Sequence, residues 1–201
     1  MNRENSGFTL IEILVAFFIF GIIGVVSGQL LNQTLSSQKT LKEKGEHLQS
    51  LHRGIQILQR DIMQYVDRPI RDEYGNNRAP LLIGLDGSIE FTRTGWRNPL
   101  GYKRAETQRV AYIWQDNQLI RGYWNELDRA ISSEPNYQTL LNDIERVEFF
   151  AIDAKGEEHI TWPNMRGDPN DPRNRMIAVL VRIELEPNYF LERVWEIPDA
   201  I

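Results

Sequence analysis

The sequence predicts an α+β fold in which a long N-terminal transmembrane helix packs on antiparallel β-sheets. The first supporting observation is an apolar, uncharged run from Ile13 to Val26. The second is a stripe of leucine and isoleucine between residues 41 and 62, spaced by seven, three and four positions as on one helix face. The third is a change to alternating apolar and polar residues after Asn76, which is typical of half-buried strands.

The apolar run is long enough to cross a membrane. Between Phe8 and Leu31 the polar residues are Thr9, Glu12, Ser27 and Gln29. As a helix this segment would extend roughly 36 Å, and the hydrocarbon core of a bilayer is about 30 Å thick. Gly24 and Gly28 form a small-xxx-small pattern within it, which allows close packing of a second transmembrane helix.

A secretory signal peptide is the alternative reading of this segment, with cleavage near Ser27–Gln29. Two features count against it. The basic charge that a signal peptide carries at its start is lost, because Glu4 offsets Arg3. The carboxylate of Glu12 also lies inside the apolar segment, and acidic residues at such positions are usually functional.

The helical pattern continues beyond the apolar run. Its apolar stripe consists of Leu41, Leu48, Leu51, Ile55, Leu58 and Ile62. Pro69 disfavours a helical conformation at Arg68, so the helix is predicted to end near Val66. We expect the stripe to be buried against the chain's own globular domain, because single faces of this kind usually belong to cores. Burial against partner helices is the alternative.

Seven segments with period-two alternation follow and are predicted to be strands. They are Ser88–Arg93, Gln108–Gln115, Gln118–Trp124, Ile144–Ile152, His159–Trp162, Met176–Glu186 and Tyr189–Ile197. In the sixth strand, the apolar residues Ile177, Val179, Val181, Ile183 and Leu185 are predicted to share one face. Pro187-Asn188 predicts a hairpin turn, and Asn164–Asn174 a loop. Asn125–Ile131 and Tyr137–Asn142 are predicted to be short helices.

Composition argues against several classes of function. The chain has 23 Lys and Arg against 28 Asp and Glu, a net charge of −5, whereas a nucleic-acid binder needs a basic surface. The sequence contains no cysteine, which excludes a disulfide scaffold, a cysteine nucleophile and cysteine-ligated zinc or iron–sulfur sites.

Candidates for enzyme chemistry are few. His47 and His52 lie five positions apart and do not share a helix face, while His159 stands alone in its predicted strand. The Asp168–Asp171 loop is the best metal candidate, but its spacing does not match a calcium loop and turn formation is the alternative. We therefore assign no catalytic residue, no metal ligand and no cofactor, and predict a protein that is not an enzyme.

The N-terminal motif Ser6–Glu12 resembles the class III signal of type IV pilins and type II secretion pseudopilins. This resemblance implies that a prepilin peptidase removes the leader Met1–Gly7 and that Phe8 becomes the N-methylated mature N-terminus. It also implies a pilin-like fold. Glu12 would neutralise the N-terminal amine of a neighbouring subunit during assembly. A carboxylate that merely reaches the membrane interface is the alternative for Glu12.

Several downstream runs resemble the J-type minor pseudopilin family of type II secretion. They are Pro69–Asp72, Glu90–Pro99, Arg109–Tyr112 and Trp124–Ala130. The resemblance implies a subunit of the pseudopilus tip, which starts pseudopilus assembly and supports export of folded proteins across the outer membrane. The implied partners are the I-type and K-type minor pseudopilins, often the H-type, and the major pseudopilin.

The implied organisation places residues 1–7 in the leader and 8–31 in a single span of the inner membrane of a Gram-negative bacterium. Residues 32–66 form the periplasmic part of the helix, and residues 67–201 form a periplasmic β-rich domain. A minor pilin of a type IV pilus or competence system is the alternative. A secreted enzyme with an ordinary signal peptide is a third hypothesis.

Overall fold

The computed structural model describes residues 9–96, 101, 105–130, 133–164, 171–185 and 189–198. The chain divides into two compact units, Met1–Gln49 and Ser50–Ile201. The secondary structure consists of one long helix followed by strands, with a short 3-10 helix at Pro172–Asn174. This order confirms the predicted α+β class.

Helix α1 covers Leu10–Met63. It ends three residues before the predicted position, because the next residues pair with the strand that contains Thr92 and Arg93. Tyr65 pairs with Arg93 in an isolated bridge, and the Val66 N–H donates to the Thr92 carbonyl at 3.0 Å. The sheet therefore takes over the backbone hydrogen bonds that another helical turn would have used.

Five strands form an antiparallel sheet whose spatial order follows the sequence. They are β3 (Leu81–Ile83), β4 (Ile89–Arg93), β5 (Gln108–Gln115), β6 (Gln118–Tyr123) and β7 (Asn136–Leu141). The short strands β1 (Ile70–Arg71) and β2 (Asn77–Arg78) form a separate two-stranded hairpin. Asp116 and Asn117 turn the chain between β5 and β6 with positive φ angles, which these residue types tolerate best after glycine.

Four strands form a second antiparallel sheet in the order β11, β10, β8, β9. They are β8 (Ile144–Asp153), β9 (Glu158–His159), β10 (Met176–Leu185) and β11 (Tyr189–Glu196). The predicted turn Pro187-Asn188 lies outside the described residues, while β10 and β11 pair along eight positions as a hairpin requires. Trp162 also pairs with Ile83 of β3, so a bridge links the two sheets.

The two predicted short helices are wrong where the structure describes them. Tyr137–Leu141 belongs to strand β7, which pairs with β6 in the register Gly122↔Tyr137 and Arg121↔Gln138. Residues 125–130 contain no helix. Pairing with β6 satisfies the backbone groups on one side of β7, and this tertiary contact outweighs a weak local helix preference.

The predicted apolar face of β10 is wrong at Ile177. A bulge between Met176 and Ala178 shifts the register against β8, so Ile177 is the extra residue of the bulge. Its side chain is partly exposed, while Met176 is buried in its place. Val179, Val181, Ile183 and Leu185 are buried as predicted.

The core lies between the C-terminal turns of α1 and the two sheets. Leu58 and Ile62 of α1 pack with Phe91, Tyr112 and Phe149 in one buried cluster. Gly54 allows α1 to approach Leu141 of β7 closely, because a Cβ atom at position 54 would lie 2.4 Å from the Cδ2 atom of Leu141. The last turns of the helix are thus fixed on the β-rich unit by packing.

Candidate functional site

The first turn of α1 contains the carboxylate that the N-terminal motif singled out. The Oε2 atom of Glu12 accepts hydrogen bonds from the backbone N–H and the hydroxyl of Thr9, both at 2.9 Å. The backbone bond, from a threonine before the helix to a glutamate three positions later, is the glutamate half of a capping box. Glu12 therefore caps its own helix. Gly7 and Phe8, the predicted cleavage and methylation site, lie outside the described residues.

The apolar half of α1 exposes its side chains on all sides. Phe17, Phe18 and Phe20 are each at least 70% exposed. Among the described residues, α1 is the one helix that is both long enough and apolar enough to cross a membrane. A Cβ atom added to Gly24 or Gly28 would meet nothing within 4 Å, so both glycines lie on open helix surface.

The apolar stripe of α1 has two parts with different surroundings. Leu58 and Ile62 are buried in the core, and Leu51 and Ile55 pack against it. Leu41 and Leu48 are 70% and 63% exposed. The expectation that the chain's own domain buries the whole stripe is therefore wrong for these two leucines. The domain covers four of the six positions, and the alternative of a partner helix stays open for the first two.

A buried ion cluster joins the end of α1 to the five-stranded sheet. Asp61 is fully buried, and its Oδ2 atom accepts hydrogen bonds from the Arg121 Nε at 2.6 Å and the Tyr112 hydroxyl at 2.8 Å. The Arg93 Nη1 lies 3.2 Å from the Oδ1 atom. Burial and the adjacent Asp61 charge raise the pKa of Tyr112 well above its ordinary value, so the phenol keeps the proton it donates.

A second polar cluster joins the runs on which the family resemblance rests. The Oε1 atom of Glu90 accepts from the Arg109 Nε at 2.8 Å and from the Arg129 Nη2 at 2.5 Å. The Arg129 guanidinium lies over the Trp124 ring, 3.8 Å from its centroid. The Arg71 N–H donates to the Asp128 carboxylate at 2.9 Å. The residues of these runs therefore have a structural role, because their contacts hold the loop after β6 in place.

The Arg109 side chain is the centre of this second cluster. It is fully buried, and its Nη1 donates to the Ala79 and Pro80 carbonyls and to the Thr92 hydroxyl at 2.8–3.0 Å. Burial lowers the pKa of the guanidinium, and the Glu90 carboxylate opposes that shift. The guanidinium thus adds donors where the chain enters β3, at the Ala79 carbonyl and at the Pro80 carbonyl, which also accepts the Thr92 N–H at 2.9 Å.

His159 is not alone, contrary to the sequence-based expectation. Its Nε2 atom lies 2.9 Å from the Oδ2 atom of Asp153, and the Glu157 carboxylate lies within 4.8 Å of both groups. Burial would raise the pKa of Asp153, but hydrogen bonds from His159 and from the Glu157 and Lys155 N–H groups lower it below its ordinary value. In the Asp168–Asp171 loop, to which no metal was assigned, Asp168 lies outside the described residues, and Asp171 pairs with Arg173 at 3.0 Å.

One cleft of about 190 Å³ lies beside these groups in the β-rich unit. Its walls are Tyr65, Asp67, Ala79, Pro80, Leu81, Trp162, Pro163, Arg175, Met176, Ile197 and Pro198. Ligand pockets are commonly 300–1,000 Å³ with convergent polar groups. This cleft is smaller and its described walls are mainly apolar, with Asp67 and Arg175 as the charged residues.

The long N-terminal helix and the antiparallel sheets packed on its end define a pilin-like protein. Residues 2–28 match the family model of the prokaryotic N-terminal methylation motif, and residues 29–197 match that of type II secretion system (T2SS), protein J. The chain belongs to the protein J family of type II secretion systems. These matches confirm the resemblance and do not favour the alternative of a type IV pilus minor pilin.

Relatives and a solved structure agree with this assignment. The type II secretion system protein J of Klebsiella pneumoniae is 32% identical over 72% of this chain and 74% of its own length. That of Vibrio cholerae is 30% identical over 96% and 88%. The GspK-GspI-GspJ complex from enterotoxigenic Escherichia coli contains a chain with 23% identity and a TM-score of 0.62, over 75% of this chain and 96% of that one. This structural likeness concerns the fold.

The chain is therefore a minor pseudopilin of a type II secretion system. Its relatives are structural pseudopilins. The methylation motif and the apolar helix indicate a single-pass membrane anchor with the C-terminal domain outside. Sequence reasoning found this anchor and Glu12, but missed the buried Asp61 and the Asp153–His159 pair, because their partners lie far away in the sequence or on the other side of a turn.

Proposed function

We propose that this minor pseudopilin is a structural subunit of the pseudopilus tip, without catalytic activity, anchored in the inner membrane with its β-rich domain in the periplasm. Its membership of the protein J family carries this proposal. A relative of the same fold assembles with GspK and GspI. The corresponding K-type and I-type subunits are the proposed partners here, together with the H-type and the major pseudopilin. The tip starts pseudopilus assembly and so supports export of folded proteins across the outer membrane.

Processing of the N-terminus is the first step of the proposal. A prepilin peptidase cuts between Gly7 and Phe8, and the new amine of Phe8 is then methylated. The match of residues 2–28 to the methylation motif supports this step. Cleavage leaves the apolar helix on the mature chain, with Glu12 four residues after the new N-terminus.

The proposed role of Glu12 is to pair with the N-terminal amine of a neighbouring subunit. Opposite charges about 4 Å apart attract by roughly 4 kcal/mol at an effective dielectric constant of 20. An unpaired acid at the centre of a membrane costs about 2.5–3.5 kcal/mol, and less near the start of the span, where Glu12 lies. Pairing would offset this cost and draw the subunit into the filament. The Thr9 hydrogen bonds offer a competing explanation, in which Glu12 serves its own helix.

Three variants separate the two roles of Glu12. Glu12→Gln removes the charge but keeps an oxygen that can cap the helix, because glutamine also serves in a capping box. Glu12→Ala removes both, and Thr9→Val removes the hydroxyl that donates to the Glu12 carboxylate but keeps the charge. Each variant is expressed in cells lacking the wild-type subunit. The readouts are leader removal, co-purification with the K-type and I-type subunits, and secretion.

If the charge drives assembly, all three variants are processed normally, while Glu12→Gln and Glu12→Ala lose most of the complex and of secretion. Thr9→Val then remains close to wild type. Normal assembly of Glu12→Gln together with defective Thr9→Val would refute the charge-pairing role and leave capping as the function of Glu12. Loss of leader removal in any variant is scored separately, from the molecular mass of the purified chain.

A further inference from the structure

The β8–β9 hairpin brings two carboxylates and an imidazole together at the edge of the four-stranded sheet. Asp153 ends β8, His159 lies in β9, and Ala151 and His159 are directly opposite each other in the register. The Gly156 N–H donates to the Asp153 carbonyl at 2.9 Å, and Gly156 has a φ of 84°. This tight turn places Glu157 beside Asp153. We infer that Asp153, Glu157 and His159 form a binding site for a divalent transition-metal ion, with zinc as the best match.

The distances fit a small ion. Zinc lies about 2.0–2.2 Å from its nitrogen and oxygen ligands, so two ligands of a tetrahedral ion are about 3.4 Å apart. The Asp153 Oδ2 and His159 Nε2 atoms are 2.9 Å apart, and all three ligand atoms lie within 4.8 Å of one another. Opening the Asp153–His159 pair by about 0.5 Å and moving the exposed Glu157 side chain by at most about 1.4 Å complete the triad.

Two of the three ligands are already oriented. The Asp153 carboxylate is 1% exposed, and its Oδ1 atom accepts the Lys155 and Glu157 N–H groups at 2.9 and 3.0 Å. These bonds direct the other oxygen, Oδ2, toward the imidazole. The His159 ring packs on Trp162, with ring centroids 5.8 Å apart. Supporting contacts of this kind orient the ligands in established metal sites.

The donor set selects the class of ion. Calcium and magnesium prefer oxygen ligands, whereas an imidazole with carboxylates suits zinc and its neighbours. Glu157 is exposed and the His159 side chain is 16% exposed, so an ion can enter from solvent. The Lys155 Nζ donates to the Asn174 Oδ1 at 2.7 Å, which holds this positive charge on a neighbouring loop.

A bound ion would cross-link the two ends of the hairpin. Strand β9 is two residues long and lies at the edge of its sheet. Shortly beyond it, Trp162 exchanges backbone hydrogen bonds with Ile83 at 3.0 and 3.1 Å. The ion would therefore fix the segment that links the two sheets and should raise the stability of the β-rich unit, because it binds the folded state.

The test is a calorimetric titration of the full-length, chelator-treated protein in detergent micelles with zinc chloride. The expected result is one zinc ion per chain, unaffected by excess calcium chloride, and a higher melting midpoint with zinc. Glu157→Gln should weaken binding about tenfold or more. His159→Asn should abolish it, while its amide can still donate a hydrogen bond to Asp153 and preserve the turn.

Two controls match these variants. Glu158→Gln changes the adjacent glutamate, whose carboxylate pairs with Arg182 at 3.0 Å, and should leave zinc binding unchanged. The double variant His47→Asn, His52→Asn removes the histidines of α1 and should also bind normally. Absence of zinc binding, equal competition by calcium, or unchanged affinity in folded His159→Asn would overturn the proposal. Loss of binding in the helix double variant would do so as well.

Discussion

Asp61 shows how one residue sets the position of a helix on a sheet. Its carboxylate lies among the side chains of Arg93, Tyr112 and Arg121, which come from three adjacent strands. Desolvation of buried ions roughly offsets their attraction, so such a cluster adds little net stability over apolar packing. Its contribution is geometric, because in the observed position of the end of α1 all three partners reach the Asp61 carboxylate.

Asp61→Asn should therefore be strongly destabilising. It removes the negative charge that offsets Arg93 and Arg121, which are both more than 90% buried. Breaking a buried pair from one side typically costs 3–5 kcal/mol. We expect a decrease of about 3 kcal/mol in the free energy of unfolding, measured by urea denaturation of the full-length protein in micelles. Asp116→Asn is the matched control, since this exposed turn residue has a φ of 51° that asparagine tolerates.

An equal effect of the two substitutions would contradict this account of Asp61. An Asp61→Asn protein with unchanged stability would mean that the arginines find other partners, for example Gln64 and Gln108, which already accept hydrogen bonds from Arg93 at 2.6 and 3.1 Å.

At the scale of elements, the sequence predicts strands well where one face is buried. Gln108–Gln115 was predicted with the observed bounds, although its first five residues are all buried, so that both faces of the strand are covered there. Strand β7 was missed because its first four residues are all exposed, which removes the alternation. Ile177 was misplaced because a bulge depends on the pairing partner, and the sequence of one strand does not encode its partner's register.

The candidate sites also divide into those visible in a local stretch of sequence and those formed by residues that only the fold brings together. Glu12 stood out in the sequence because an acid inside an apolar segment and a local motif are visible along a single run of residues. The Asp61 cluster joins residues up to 60 positions apart, and such contacts exist only once the sheet has formed. The seven residues from Asp153 to His159 were visible in the sequence, but the contact between Asp153 and His159 depends on the tight turn at Gly156.

The exposed leucines of α1 give a prediction about this element. Leu48→Glu should leave the stability of the protein unchanged within about 0.5 kcal/mol, because the side chain is 63% exposed. If a partner helix covers this position, the same variant should lose most of its co-purification with the K-type and I-type subunits, since a carboxylate would enter an apolar contact. Pull-down from detergent extracts measures this loss.

Leu58→Glu is the contrasting variant, because Leu58 is fully buried in the core. A carboxylate there should unfold the β-rich unit and abolish association only as a consequence. Leu48→Glu chains that unfold like Leu58→Glu chains would show that Leu48 supports the fold. Full association of Leu48→Glu would show that no partner covers this face.

At the scale of the whole molecule, the apolar part of α1 is suited to a lipid environment and the β-rich unit to water. Its first apolar residues expose large side chains in every direction, and each phenylalanine moved from water to an apolar environment gains about 1.5–3 kcal/mol. The β-rich unit instead encloses its own core. Retention of the N-terminal helix in the mature protein is therefore decisive for the proposed role, because a chain without it would have no anchor and no place in a filament.

Two matched substitutions test this retention. Gly7→Val should block leader removal, because the resemblance places the prepilin peptidase cut directly after Gly7, and the chain should keep the mass of the full sequence. Ser27→Val should change nothing, although it removes a small residue that an ordinary signal-peptide cleavage near this position would need. Intact mass and N-terminal sequence of the membrane-extracted protein distinguish the cases. A wild-type chain that starts at N-methylated Phe8 supports the anchor, whereas a start near Gln29, lost in Ser27→Val, would remove the helix and with it the filament role.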